Sequence, residues 1–564
     1  LNNGNITMYV REESTNANIA GVINIKNEVD ASTLNYSSLS SRSVMNIINN
    51  NSLSPRHTRY GSSGNYYLLP NISLNVAGVA YTTATNTNIN GAYNFAEKYV
   101  YNNNQKVLQA LPTQEIDISI LWRYAPCVVS DNEVVKDIIT VTYSSSNPYP
   151  VTMTDNTKSN PDKYIGTYTN LKASYNYRNI NYVTSNPVNF YNLVLSGNTV
   201  GLNFNLDNIR NDGDIVVNFT KTTQGTYLNA LYSNNDRSTD YKKLKVFGCF
   251  EEVSINCKAK NIFNGGDIEV TSNTKASGVV VVFNVYASGI CYKNANQKIF
   301  VDENLSVDDV IMDPDVDGTI HNCVNNGDIT IRGNYSGSGY TNSGEYYGVC
   351  RAAGITAINA SILSSCFNLG NILNINYIIG AGSYGSYAGE FEVETGGICF
   401  LMLDQYAQIK DSANNGSIYS ICTSAGNSWV NAGGIIVRNE KDEFGVDLGS
   451  GSIVSGGSCY NIHPHKQKIE FSINYGDVFA YNGYNDTWTT EEPRCKAAGF
   501  LCLGVNSVVN VVNYGDIFAT KVVGGMYGLI FIYKFVNYIT TDDPVYIANA
   551  INYGDITPIQ VSSA

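Results

Sequence analysis

Charge is scarce in this sequence. Lysine and arginine together number 35 and aspartate and glutamate 48, only 15% of the 564 residues, with a formal net charge of -13. No basic stripe is present, which argues against a protein that tracks nucleic-acid phosphates or an anionic membrane surface. Histidine is rarer still, at four residues: His57, His321, His463 and His465. That leaves little material for His-dependent nucleophilic catalysis. Long apolar runs are missing too. The longest near the C-terminus, 522–533, is broken by glycine, stopped by Lys534 and too short to cross a bilayer, so no membrane insertion by this chain is expected. No segment sustains a 3.6-residue apolar period, which removes the helix as a building element. There is no CxxC pair, no Gly-Lys dipeptide and no G-x-S-x-G, hence no thiolate metal knuckle, Walker loop or nucleophile elbow. Gly380-Ala381-Gly382-Ser383-Tyr384-Gly385 spells G-x-G-x-x-G. The alternating strand pattern of Glu390-Phe391-Glu392-Val393-Glu394 follows it, where a dinucleotide site needs a helix.

What the chain has in abundance is asparagine (75), glycine (49) and tyrosine (42). These residues suit turns and strands. A hydrophobic fraction of 43% and a mean hydropathy of -0.15 exclude a disordered chain. One phrase recurs: Asn513-Tyr514-Gly515-Asp516-Ile517, with copies at Asn211–Ile215, Asn325–Ile329, Asn474–Val478 and Asn552–Ile556. It reads as a tight turn feeding a strand, with Gly in the left-handed region, Asp capping its own turn and a β-branched residue starting the strand. Taking Gly213, Gly265, Gly327, Gly370, Gly416, Gly476, Gly515 and Gly554 as its glycines, the spacings are 52, 62, 43, 46, 60, 39 and 39. A second motif lies between copies: Ala353-Gly354-Ile355, Gly396-Gly397-Ile398, Gly433-Gly434-Ile435, Ala498-Gly499-Phe500 and Gly524-Gly525-Met526. Small residues before an apolar strand suit a sharp corner where backbones stack closely.

These repeats predict an all-β fold, a β-solenoid (parallel β-helix-like) with irregular repeats of about 39–60 residues and loop or subdomain insertions. About twelve rungs would form a rod of roughly 60 Å, or twice that if each unit makes two rungs. Residues 1–104 read as degenerate solenoid repeats, with phrase copies at Gly4, Asn49-Asn50-Asn51 and Asn102-Asn103-Asn104. Residues 105–170, punctuated by five prolines, read as an inserted β-rich excursion, and 171–564 as the main repeats. Phrase copies at both ends suggest a piece of a longer repeat protein. Twelve cysteines, several at repeat positions such as Cys323, Cys350, Cys366 and Cys399, read as small buried hydrophobes, with disulfides as the alternative.

Alternation of N-x-G-D-I with Ala/Gly-Gly-Ile resembles the glycine-rich, GLUG-like repeats of bacterial surface proteins and adhesins. Val523-Gly524-Gly525-Met526-Tyr527-Gly528 carries the resemblance best, and it covers most of 213–556. It implies a secreted or surface β-solenoid with binding or structural duties and no catalytic residue.

Three local features carry candidate chemistry. Asp313, Asp315 and Asp317, followed by Gly318, open like a D-x-D-x-D-G calcium loop, although the closing acidic position is Val324; a solvated acidic loop is the competing reading. Calcium is the only cofactor so indicated. Tyr481, Tyr484 and Trp488 are aromatics in one excursion that could stack on sugar, beside Glu491, Glu492 and Arg494. The phrase aspartates could form an acidic ladder, which Asn371 and Ser417 would interrupt. The reading that follows is a non-enzymatic, extracellular or cell-surface repeat protein, a stalk, filament or adhesive surface. Its partners would be neighbouring protein subunits or host or cell-surface glycans. A polysaccharide lyase or hydrolase on the same scaffold and a self-assembling polymer subunit are the alternatives.

Overall fold

The computed structural model describes isolated strands in the first 200 residues. Beyond them it describes 204–224, 243–253, 257–277, 281–294, 319–337, 346–379, 391–402, 407–423, 428–438, 467–483, 494–504, 507–529 and 547–559. Among these residues every regular element is a strand. One coil shows the plan. A lead-in strand, Ile320–Asn325, enters the N-x-G-D turn, and a lead-out strand, Ile329–Gly337, leaves it. A pre-corner strand, Tyr346–Ala353, runs to the small-residue corner, and a post-corner strand, Thr356–Asn359, follows it. The next lead-in strand, Ile362–Asn368, lies directly on the first, pairing Cys323 with Cys366 and Asn325 with Asn368. Each phrase therefore makes one coil, and the doubled rise is ruled out.

Stacking the coils gives parallel sheets of thirteen lead-in, ten lead-out, eleven pre-corner and eleven post-corner strands. The thirteen include two coils whose lead-in strand is split in two, for example Gln408–Lys410 and Ala413–Asn414. Eleven strands at about 4.8 Å span roughly 50 Å. Within 105–170, Leu121–Ala125 and Val128–Ser130 belong to the long parallel sheets. Among the described residues of that span, Ile139–Ser144 and Asn147–Asp155 depart from them, as an antiparallel hairpin. In the third coil the position aligned with Asn49 and Asn176 is Asn94, while Asn102 falls in the lead-out strand Tyr99–Asn102.

The turn phrase works differently from the sequence expectation. Its first asparagine is the structural element. Asn176, Asn211, Asn264, Asn325, Asn368, Asn414, Asn474, Asn513 and Asn552 form a ladder in which each Nδ2 donates to the Oδ1 of the next coil's asparagine at 2.6–2.8 Å. From Asn211 on, the same Nδ2 also donates to the carbonyl two residues ahead, at 2.7–2.9 Å. Two donors and an acceptor of a buried amide are thus satisfied, as burial of a polar side chain requires. The phrase glycines are not left-handed. They are glycines because coils touch there: a Cβ on Gly515 would lie 1.9 Å from the Gly476 carbonyl oxygen. In the 264–268 copy Gly266, not Gly265, holds this position, with a Cβ falling 2.1 Å from the Gly213 oxygen. The left-handed residue sits three positions before the ladder asparagine: Asn208, Asn261, Asn322, Ser365, Asp411, Phe471, Asn510 and Asn549 all have φ between 51° and 58°. Asparagine recurs there because it tolerates that conformation best among non-glycine residues.

The aspartates also act between coils. The backbone N–H of Asp267 donates to Asp214 Oδ1, Asp328 to Asp267, Asn371 to Asp328, Asp516 to Asp477 and Asp555 to Asp516, at 2.7–3.0 Å. Each carboxylate caps its neighbour's turn rather than its own. Asn371 keeps the pattern, accepting from Ser417 N–H at 3.0 Å. Burial pushes the Asp267 carboxyl up; the Asp328 N–H offsets this, and the carboxylates of Asp214 and Asp328 add to it, so the net shift is upward.

The main core lies between the lead-in and post-corner sheets. It includes Ile262, Cys323, Cys366, Cys399, Ile436 and Phe500. The ten described cysteines are all free thiols and all buried. They are spread over different faces of the coil, where a small apolar side chain fits the stacking.

Candidate functional site

The ladder column repeats asparagine from coil to coil. A column on the pre-corner strands instead mixes charged, amide and aromatic side chains. Three positions before each corner glycine, the pre-corner strands align Lys245, Tyr286, Arg351, Glu394, Asn431 and Lys496. Their side chains enter the space between the pre-corner and post-corner sheets. A second apolar cluster fills that space, including Tyr286, Tyr292, Phe400, Val437 and Cys502.

At the centre is Glu394, which is 0% exposed. Arg351 Nε donates to Glu394 Oε2 at 3.1 Å, and Arg351 Nη2 to Glu392 Oε2 at 2.9 Å. Arg438, from the facing post-corner strand, also pairs with Glu394 and lies 3.7 Å from Glu392. Asn431 Nδ2 donates to Glu394 Oε1 at 2.9 Å. Arg351 further donates to the Tyr286 hydroxyl. The arginine stacks above Phe400 at 4.4 Å from the ring centre. Burial alone would push the Glu394 carboxyl up; Arg438 and Arg351 outweigh it and hold the group below the ordinary carboxylate value. Lys496, also 0% exposed, places Nζ 4.9 Å from the Trp429 ring centre, and Lys245 lies 4.2 Å from that of Tyr292. Burial pushes the Cys502 thiol up to about 12, with Lys496 drawing it down and Glu394 pushing it up, which puts all three groups within electrostatic range.

The outer surface carries aromatic rows. Tyr475, Tyr514 and Tyr553, the second residues of successive phrases, stack with ring centres 5.2 and 5.1 Å apart and near-parallel planes. On the outer side of the lead-out sheet Tyr419, Phe479 and Phe518 follow one another at 6.0 and 6.2 Å. Tyr481 joins that row, 6.4 Å from Phe479.

Of the residues singled out from sequence, Tyr481 therefore belongs to an aromatic surface, and it sits on a strand rather than in an excursion loop. Arg494 stands over Trp429, 5.7 Å from its ring centre, at the edge of the charged seam. Tyr484, Trp488, Glu491, Glu492 and the acidic triplet Asp313, Asp315 and Asp317 lie outside the described residues. Among the described residues no group of three or more His, Cys, Asp or Glu is placed to hold a metal ion, and no helix is long and apolar enough to cross a membrane. Sequence reasoning missed the charged seam. Its members are one per coil and tens of residues apart, and reading three positions back from each corner glycine would have aligned them.

No family model, curated protein or solved structure matches this chain.

Proposed function

We propose that the chain is a non-enzymatic extracellular scaffold, a rigid solenoid that presents an aromatic surface to glycans or neighbouring protein subunits. The observation that carries this reading is the use made of polar side chains. Asparagine, aspartate and left-handed positions alike bond coil to coil, for example Asn322 Nδ2 to Asn261 Oδ1 at 2.7 Å and Asn549 Nδ2 to Asn510 Oδ1 at 2.8 Å. Such bonding stiffens a rod. The row of Tyr419, Phe479, Tyr481 and Phe518 supplies the contact surface, since rigid rings give area at low entropic cost. GLUG-like surface repeats, which this sequence resembles, accord with that location and role.

The test is binding of the purified chain to a panel of neutral and acidic polysaccharides, with wild type and a Phe479→Ala/Tyr481→Ala variant compared. Retained fold by circular dichroism with at least about tenfold weaker binding supports the reading, since interface rings often carry more than 1 kcal/mol each. Release of new reducing ends that Glu491→Gln abolishes would replace the scaffold with an enzyme.

A further inference from the structure

We propose that Asn326 and Asn415 are sites of spontaneous deamidation, two places where the solenoid modifies its own backbone. The inference is independent of the ligand of the outer surface.

An asparagine followed by glycine is where a side-chain amide and a backbone nitrogen meet most freely, because glycine has no Cβ to shield that nitrogen. Among the described residues there are four such steps: Asn264-Gly265, Asn326-Gly327, Asn415-Gly416 and Asn482-Gly483. The fold treats them in two ways.

Two steps are locked. Asn264 is a ladder residue, 0% exposed, and its Nδ2 donates to the Gly266 carbonyl and to Asn325 Oδ1. The Gly265 N–H donates to the Asn211 carbonyl at 2.7 Å. Asn482 is 4% exposed, and its Nδ2 donates to the Ser428 carbonyl at 2.8 Å. The Gly483 N–H donates to the Cys422 carbonyl, also at 2.8 Å. At both steps the amide and the nitrogen that would attack it are held elsewhere.

The steps at Asn326 and Asn415 are open. Each residue lies one position past a ladder asparagine, Asn325 or Asn414, and both are exposed. Their own backbone N–H groups are fixed, donating to the carbonyls of Asn264 and Asn368 at 2.7 Å. Neither side-chain amide, nor the N–H of Gly327 or Gly416, makes a hydrogen bond among the described residues. Both glycines are buried in the stack, so the folded chain reacts more slowly than an unfolded one. The ranking of the four steps survives that slowing.

The chemistry needs water and base but no oxidant. The Gly327 nitrogen gives its proton to hydroxide and attacks Asn326 Cγ. The new N–C bond closes a succinimide ring, and the Asn326 amide nitrogen leaves as ammonia after taking a proton from water. Water then adds to one ring carbonyl and breaks one of its C–N bonds. Cleavage at Cγ gives aspartate; cleavage at the main-chain carbonyl leaves the backbone running through Cγ as isoaspartate. An amide and water become a carboxylate and an ammonium ion.

The isoaspartate product lengthens the main chain by one methylene between ladder asparagine and phrase glycine. That span is closed by Asn325 Nδ2 on the Gly327 carbonyl at 2.9 Å and by Asn414 Nδ2 on the Gly416 carbonyl at 2.8 Å. It also abuts the preceding coil, since a Cβ on either glycine would collide with the Gly266 or Gly370 carbonyl oxygen. Ageing therefore loosens the stack at two defined coils.

The test is to hold the folded full chain in mildly alkaline buffer and map its peptides by mass spectrometry over time. Asn326 and Asn415 should convert to mixed aspartate and isoaspartate. Asn264 and Asn482 should convert at least about tenfold more slowly, since two hydrogen bonds must open first. In urea the four steps should react at similar rates. Native conversion at Asn326 and Asn415 no faster than at Asn264 and Asn482 would overturn the proposal. An Asn326→Tyr/Asn415→Tyr variant carries the residue that Tyr475, Tyr514 and Tyr553 supply at this phrase position. Its urea midpoint should not change on ageing, whereas that of aged wild type should fall. An unchanged wild-type midpoint after conversion would overturn the loosening.

Discussion

Gly354 lies so close to Asn368 that a Cβ on the glycine would fall 2.4 Å from the asparagine Cγ. The same contact joins Gly289 to Asn325, Gly397 to Asn414, Gly434 to Asn474 and Gly499 to Asn513. The two motifs that alternate along the sequence are thus the two sides of one internal seam. The corner must be glycine so that the asparagine ladder can stand against it.

Substituting that glycine should be costly. In Gly354→Ala the new methyl would meet the Gly397 carbonyl oxygen at 2.1 Å as well as Asn368, and neither is the end of a flexible side chain. Overpacking of this kind costs roughly 3 kcal/mol. Urea denaturation should show a lower midpoint for Gly354→Ala, and an unchanged midpoint would remove close stacking as the reason for glycine.

The ladder itself can be probed at Asn414. Its side chain accepts from Asn368, donates to Asn474 and donates to the Gly416 carbonyl, each at 2.8 Å. Asn414→Ala leaves buried partners unsatisfied and should lose roughly 2–5 kcal/mol, at about 1–3 kcal/mol per stranded group. Asn414→Asp should be at least as damaging, because it removes both donors and sets a carboxylate against two oxygen acceptors. Thermal melts of the two variants rank the effects, and a harmless Asn414→Asp would show that the amide bonds contribute little.

Acid should act on the charged seam. Glu394 is held below the ordinary carboxylate value by Arg438 and Arg351 once their effect outweighs burial. Its contribution to stability is therefore present above its unfolded pKa, about 4, and is lost as pH falls through the lower folded value. Glu394→Gln should be destabilised at neutral pH, and its deficit relative to wild type should shrink as pH falls below about 4. Melts at pH 7 and in the acid range check the sign; a constant deficit would disprove the linkage.

Asp267 has the opposite sign. Burial and its neighbours raise its pKa, so the ionised form carries a penalty that is absent in acid and present above the folded value. Asp267→Asn keeps an Oδ1 to accept from Asp328 N–H, as Asn371 does naturally for Ser417. The variant should melt higher than wild type at neutral pH, with the gap closing towards and below about pH 4.

Thiol chemistry reports the core. Ten of the twelve cysteines are described, and all ten are buried and free. They should resist a thiol-specific chromogenic reagent in the native protein and react together on denaturation. Rapid native labelling of Cys323 or Cys502 would contradict the packing.

The solenoid was legible because coil stacking forces a turn phrase and a corner motif to recur. The irregular spacing was legible as well, since insertions between strands change the period without changing the coil. Which atom of the phrase did what was not legible. Asn, Gly and Asp all suit local turn chemistry, and only the register of neighbouring coils shows that Asn513, Gly515 and Asp516 each act on another coil. The charged seam was hidden for the same reason: Arg351, Glu394 and Lys496 have no local pattern and become neighbours only when pre-corner strands pair. Tyr481 was legible as an aromatic of interest, while its row with Phe479 and Phe518 depends on the pairing of lead-out strands.

The two ladders also have a polarity. Asparagine amides donate from each coil towards the C-terminal side, whereas aspartates accept from that side. A growing edge therefore offers the next coil one donor and one acceptor at fixed places, and an incoming N-x-G-D phrase answers both. A chain emerging from the ribosome meets this template one coil at a time, so the solenoid can zip vectorially behind synthesis, each completed turn fixing the register of the one not yet made.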